Sequence, residues 1–125
     1  MPRILVVEDD YQVRTMLRLT LERLGYEVDE AANGEVACEK FRSRPFDLTI
    51  TDIVMPEKEG IGTIIDIRRE DPDAKIIAIS GGARGGPGIY LDSAEKFGAA
   101  RTFTKPVDPK ELLLAVQELL GESAP

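Results

Sequence analysis

Thr49 to Gly60 reads TITDIVMPEKEG. Leu48 and Ile50 lead into Asp52, and a Met55–Pro56 pair follows it. An apolar run that stops on a carboxylate and then turns predicts a buried strand delivering Asp52 to its carboxyl end. In open α/β sheets that end is where ligands bind. A lone Asp after a strand is otherwise a turn former or a helix cap, so the rest of the chain decides between the two.

Working outward, Arg3–Val7 (RILVV) is a short β-rich run ending on Glu8, Asp9 and Asp10. Val13, Met16, Leu17, Leu21 and Leu24 follow at helical spacing, with Arg14, Arg18 and Glu22 on the other face and Gly25 as the stop. Tyr26–Ala31 alternates as a half-buried strand would. Asn33 can cap a helix from Gly34 to about Ser43 that turns Val36, Ala37, Cys38 and Phe41 inward, which makes Cys38 a packing residue rather than a reactive thiol. After Gly60 a helix carries Ile61, Ile64, Ile65 and Arg68 and breaks at Pro72; Lys75–Ser80 (KIIAIS) is another buried strand. A glycine-rich loop, Gly81–Gly88, precedes a weak helix at Tyr90–Phe97 that ends at Gly98. Arg101–Thr104 (RTFT) is a fifth strand. Asp108, Pro109 and Glu111 read as N-cap, first-turn proline and capping-box acid of a last helix bearing Leu112, Leu113, Val116, Leu119 and Leu120, with Gly121 as its stop. Five strands alternating with five helices predict an α/β fold, a doubly wound five-stranded parallel sheet with helices on both faces. One domain is expected over residues 1–125, with 122–125 a frayed tail.

Composition narrows the function. The 125 residues are 42% apolar and 31% charged, as suits a globular domain. Sixteen basic against 23 acidic residues give a net charge of −7, which argues against direct binding to nucleic acid. The apolar runs are too short to cross a bilayer and nothing resembles a signal peptide. A single cysteine leaves no internal disulfide, so a cytoplasmic setting is expected. The chain has no histidine, which removes Ser-His-Asp and Cys-His catalysis, imidazole metal sites and a phosphohistidine of its own.

Chemistry collects at the carboxyl ends of the strands. Strand one delivers Glu8, Asp9 and Asp10; strand three, Asp52; strand four, Ser80; and Lys105 follows strand five. Right-handed crossovers bring these ends to one edge of the sheet. Carboxylates crowded there repel one another unless a cation is bound, and an oxygen-only donor set suits Mg2+. Metal, ammonium and hydroxyl around one carboxylate form a set that can hold a phosphoryl group on it. An ionised Asp needs no general base to attack phosphorus, so the missing histidine costs nothing. Taken singly, Asp10 is an N-cap, Ser80 a turn residue and Lys105 a solvated charge; their joint occurrence at successive strand ends favours the site.

With ILVVEDD, TDIVMPEKEG, Ser80 and TKP in place, essentially the whole chain resembles the receiver domain of bacterial two-component response regulators. The resemblance implies a flavodoxin-like fold with sheet order 2-1-3-4-5. It implies that Asp52 is the phosphoacceptor and that Asp9 and Asp52 bind Mg2+ directly, helped by the backbone carbonyl of Val54. Glu8 would act through a metal-bound water, and Ser80 and Lys105 would each contact a phosphoryl oxygen. The phosphoryl group would come from a histidine kinase or phosphotransfer protein, and a downstream protein would read it. The Lys105–Pro106 bond is expected to be cis, as in relatives.

Two departures from the family pattern bear on signalling. Relatives usually carry Tyr or Phe three residues before the lysine, where the ring swings inward on phosphorylation. Here that position is Thr102, and Phe103 beside it should face the other side of the strand. The five glycines of Gly81–Gly88 make that loop permissive and entropically costly to order, so the switch is expected to work by ordering or shifting it and the helix after it. Hydrogen exchange with and without a beryllofluoride phosphoryl mimic tests this; equal protection over 81–97 in both states would exclude the loop. Two rivals stay in view: a receiver-like binding module that is never phosphorylated, and a Mg2+-dependent phosphatase. The phosphatase needs a second Asp two residues after its nucleophile, where this chain has Val54. SGGARGGPG lacks the ending of a P-loop and the spacing of a dinucleotide loop, and reads as a flexible connection.

Overall fold

Strand alternation sorts the apolar residues into two layers, and the architecture follows from that sorting. The structure, a computed structural model, describes residues 2–52, 59–80, 96 and 98–121. Its strands are β1 (Arg3–Val7), β2 (Glu27–Ala31), β3 (Leu48–Asp52), β4 (Ile76–Ser80) and β5 (Arg101–Thr104), all parallel in the order β2-β1-β3-β4-β5. The helices are α1 (Tyr11–Glu22), α2 (Gly34–Ser43), α3 (Glu59–Glu70) and α4 (Pro109–Leu119). The sheet order is the one the family resemblance implied. Val54, the Met55–Pro56 pair, the Gly81–Gly88 loop, most of the expected Tyr90–Phe97 helix and the 122–125 tail lie outside the described residues.

Leu5 and Val7 of β1 pack with Ile76 and Ala78 of β4 against Ala37, Cys38 and Phe41 of α2 and Ile64 and Ile67 of α3. Ile4 and Val6 point the other way, with Leu48, Ile50, Ile77 and Ile79, against Leu21 of α1 and Leu112, Ala115 and Val116 of α4. Two-residue periodicity in each strand thus serves two cores. Each fully buried Leu, Ile or Phe contributes roughly 1.5–3 kcal/mol. Cys38 is buried among apolar neighbours, as its spacing indicated.

The helix ends carry the chemistry read from the sequence. Asp10 accepts from Gln12 N and Val13 N at 2.9 and 3.3 Å. Asn33 accepts from Val36 N and Asp108 from Lys110 N, with Pro109 opening α4. Gly25 and Gly121 have φ of +91° and +74°, which is why glycine follows the ends of α1 and α4, and Gly98 has a φ of +118°.

Some expectations about α1 and α3 need correction. Met16 is 60% exposed and Leu24 is exposed as well. Leu17 and Leu21, four residues apart, take the core contact. Met16 sits on their flank, lining a groove of about 440 Å3 with Pro106 and Val107, and Leu24 lies beyond the last helical turn. Arg14 is not on the outer face: it stands seven residues before Leu21, on the same side of the helix, and reaches β1 and β2. In α3 the buried pair is Ile64 and Ile67, while Ile65 is half-buried.

β2 is an edge strand. Its Glu27 pairs with Arg3 at 3.0 Å and its Asp29 with Lys40 at 2.7 Å. Its Glu30 pairs with Arg14 at 3.2 Å and with Arg18 at 3.0 Å. Lys40 also donates to the Glu30 carbonyl at 2.7 Å.

Candidate functional site

Val6, Ile50 and Phe103 all belong to the layer that faces α1 and α4. Two residues further along each strand direction stand Glu8, Asp52 and Lys105. The alternation that builds this layer therefore sends one carboxylate from β1, one from β3 and an ammonium from after β5 to the same side of the same sheet edge. Lys105 Nζ donates to Glu8 Oε1 and to Asp52 Oδ2, both at 2.8 Å. The Lys105–Pro106 bond is cis, as the resemblance implied.

Burial is uneven within the cluster. Glu8 is 1% exposed and Asp52 is buried, whereas Asp9 faces solvent. One carboxylate oxygen from each of Glu8, Asp9 and Asp52 lies within 4.8 Å of the others. Burial raises the pKa of Glu8 to about 7; Lys105 opposes the shift, and Asp52 and Asp9 add to it. Burial draws the Lys105 ammonium down, but its bonds to Asp52 and Glu8 outweigh this and leave its pKa above the ordinary lysine value. The cluster is a group of oxygen donors close enough to share one small hard cation, with a fixed ammonium beside them.

Ser80 ends β4 one residue past Ile79, the register partner of Asp52, and its carbonyl accepts from Lys105 N at 2.8 Å. Its hydroxyl is buried and has no hydrogen-bond partner among the described residues. A buried hydroxyl left unpaired is uncommon enough to need a reason, and a ligand oxygen is one. Asp10, the third acid of the run, caps α1 through its side chain. Thr102 pairs in register with Ala78 and Phe103 packs on the α1 and α4 side, so the two face opposite ways, as expected.

A model of the response regulator receiver domain matches residues 4–117. The chain belongs to this family. Over 120 residues the receiver is 37% identical to the response regulator receiver protein CpdR of Brucella abortus, covering 96% of this chain and 98% of that one. It is 38% identical over 118 residues to the chemotaxis protein CheY of Thermotoga maritima, covering 94% and 96%. Among solved structures it is similar to the response regulator TrrA of Thermotoga maritima in complex with Mg2+–BeF, at a TM-score of 0.82 and 37% identity over 95% of this chain and 99% of that one.

Of the receiver's expected site residues, Glu8, Asp9, Asp52 and Lys105 are brought together, and Ser80 stands on the neighbouring strand end. Val54 lies outside the described residues. Sequence reasoning missed Arg14, whose Nη1 donates to the Glu8 carbonyl at 2.8 Å. Its seven-residue spacing to Leu21 was the available signal.

Proposed function

We propose that this receiver accepts a phosphoryl group on Asp52 from the phosphohistidine of a histidine kinase or phosphotransfer protein, and that the modified domain changes its affinity for a downstream protein. Lys105 carries the reading: an ammonium held 2.8 Å from the Asp52 carboxylate is already placed for a phosphoryl oxygen. The Ser80 hydroxyl, without a partner among the described residues, supports it as a second donor.

The acidic cluster fits Mg2+, because its donors are all oxygen and few, leaving room for retained waters. Glu8, Asp9 and Asp52 would hold the ion with the Val54 carbonyl. Bound there, Mg2+ would neutralise charge on the phosphoryl oxygens. A carboxylate oxygen of Asp52 forms the new O–P bond while the donor's N–P bond breaks, and the imidazole leaves with the bonding pair. Lys105 turns from the carboxylate to the transferred group, and Ser80 donates to it. The reading is of a signalling acceptor over residues 1–125, not a turnover enzyme. The net charge of −7 supports a protein partner over nucleic acid. A cytoplasmic setting is part of the same reading; among the described residues no helix is long and apolar enough to cross a membrane.

Incubation with acetyl phosphate and Mg2+ followed by intact-mass measurement is the test. A gain of about 80 Da that Asp52→Asn abolishes is expected. Full modification of Asp52→Asn under the same conditions would remove Asp52 from the role.

A further inference from the structure

Two arginines attend the ends of β1 and are built alike. Arg3, at the amino end, pairs with Glu27 at 3.0 Å and donates to the carbonyls of Arg44 and Pro45 at 3.2 and 2.7 Å. Arg14 reaches from α1 to the carboxyl end, pairs with Glu30 at 3.2 Å and donates to the Glu8 carbonyl at 2.8 Å. Each guanidinium lies over a ring, Phe46 for Arg3 and Tyr11 for Arg14. Their side chains are almost equally shielded, 15% and 14% exposed. They differ in the carbonyl each one grips. Arg3 ties down a connection remote from the site; Arg14 ties down a residue of the acidic cluster.

We infer that Arg14 is a positioning residue for the Mg2+ site, fixing Glu8 and Asp9 through the main chain of Glu8; this rests on the reading of the cluster as a Mg2+ site. The Glu8 peptide is clamped on both sides, its N–H by the Ala31 carbonyl at 3.0 Å and its C=O by Arg14. Without the second clamp, carboxylates within 4.8 Å of one another would push the turn after β1 outward. The charge of Arg14 is faced by Glu30, which Arg18 holds from its other oxygen at 3.0 Å. Arg14 therefore steadies the turn without drawing the cluster's own carboxylate oxygens away from a cation. The forked guanidinium spans Glu30 and the Glu8 carbonyl together, which a single ammonium cannot do in the same geometry.

The test is calorimetric titration of Mg2+ into wild type, Arg14→Met, Arg14→Lys, Arg3→Met and Asp9→Ala, well below melting, with circular dichroism confirming that each is folded. Arg14→Met is expected to weaken Mg2+ binding about tenfold, as loss of a partner behind a metal ligand does. Arg14→Lys should lie between it and wild type. Arg3→Met should lower the melting temperature yet keep Mg2+ affinity within about twofold of wild type, because it loses equivalent bonds away from the site. Unchanged affinity in Arg14→Met, or an equal loss in Arg3→Met, overturns the positioning role and leaves the Mg2+ reading standing. Should Arg14→Met not fold, Arg14→Lys decides by the same comparison with Arg3→Met. Absence of Mg2+ binding in wild type, or wild-type affinity in Asp9→Ala, overturns the Mg2+ reading and the inference with it.

Discussion

The ammonium of Lys105 sits 2.8 Å from Oδ2 of Asp52, although the two residues are 53 positions apart. The contact joins the ends of β3 and β5 across the intervening β4. It also means that, with no cation bound, the Asp52 carboxylate is paired with a charge the chain supplies itself.

Removing that group should be felt in the fold. Lys105→Met leaves the buried carboxylates of Glu8 and Asp52 without their cation, and breaking a buried pair from one side is costly. Urea unfolding in chelator at pH 7.5 is expected to show a loss of about 2–3 kcal/mol. The loss should shrink at pH 5, where Glu8 is protonated. Equal stability of variant and wild type at pH 7.5 would show that the ion pairs contribute nothing.

Glu8 gives a pH dependence of definite sign. Burial first, then Asp52 and Asp9, raise its pKa to about 7 from an ordinary value of 4.5, against the pull of Lys105. A raised carboxyl pKa means the folded protein holds the proton more tightly than the unfolded chain. Its contribution is complete below pH 4.5 and is lost as pH rises through 7. In chelator, wild type should lose about 1–3 kcal/mol from this group across that interval. Glu8→Gln should flatten the slope and be the more stable of the two at pH 8. For Asp29 burial works upward but its Lys40 bond prevails and lowers the pKa, so its contribution is constant above pH 3.8 and is lost only on further acidification, which leaves this window clear. Parallel pH profiles for the two proteins would refute the assignment.

Cation binding should reverse the same repulsion. Mg2+ is expected to raise the melting temperature by mass action. Asp9→Ala should nearly eliminate that rise while melting higher than wild type in chelator, since one repelling charge is gone. A Mg2+-dependent rise of unchanged size in Asp9→Ala would place the ion elsewhere.

Ser80 separates folding from chemistry. Its buried hydroxyl has no partner among the described residues, so Ser80→Ala removes an unsatisfied group instead of breaking a bond. Stability should stay level or rise by about 0.5–1.5 kcal/mol, while phosphorylation by acetyl phosphate slows. A marked loss of stability would mean that the hydroxyl is bonded in the resting protein.

Periodicity made most of this legible in advance. RILVV and LTITD were readable as buried strands because, Arg3 aside, every residue is apolar or β-branched up to the acids Glu8 and Asp52, and Asp10, Asn33 and Asp108 were readable as caps because capping is local chemistry. What the sequence hid is three-dimensional. Glu8 and Asp9 are adjacent acids, yet one is buried and the other faces solvent, a difference set by which face of β1 each continues. Arg14 looked like a solvent-side charge because polarity was used to assign its face. A long side chain on the inner face near a helix start can instead reach past the apolar layer to polar partners. Met16 erred in the opposite direction, an apolar residue at helical spacing that borders a groove instead of the core.

The ion pairs along β2 bear on how these molecules behave when crowded together. An outer strand offers unpaired backbone groups to any second sheet that slides alongside, the usual start of fibrillar association. Here Lys40 already occupies the Glu30 carbonyl and pairs with Asp29, so a second strand would have to displace it. Stacking through β2 is thus opposed by a blocked acceptor, and this opposition weakens wherever acid or concentrated salt loosens the Lys40–Asp29 pair.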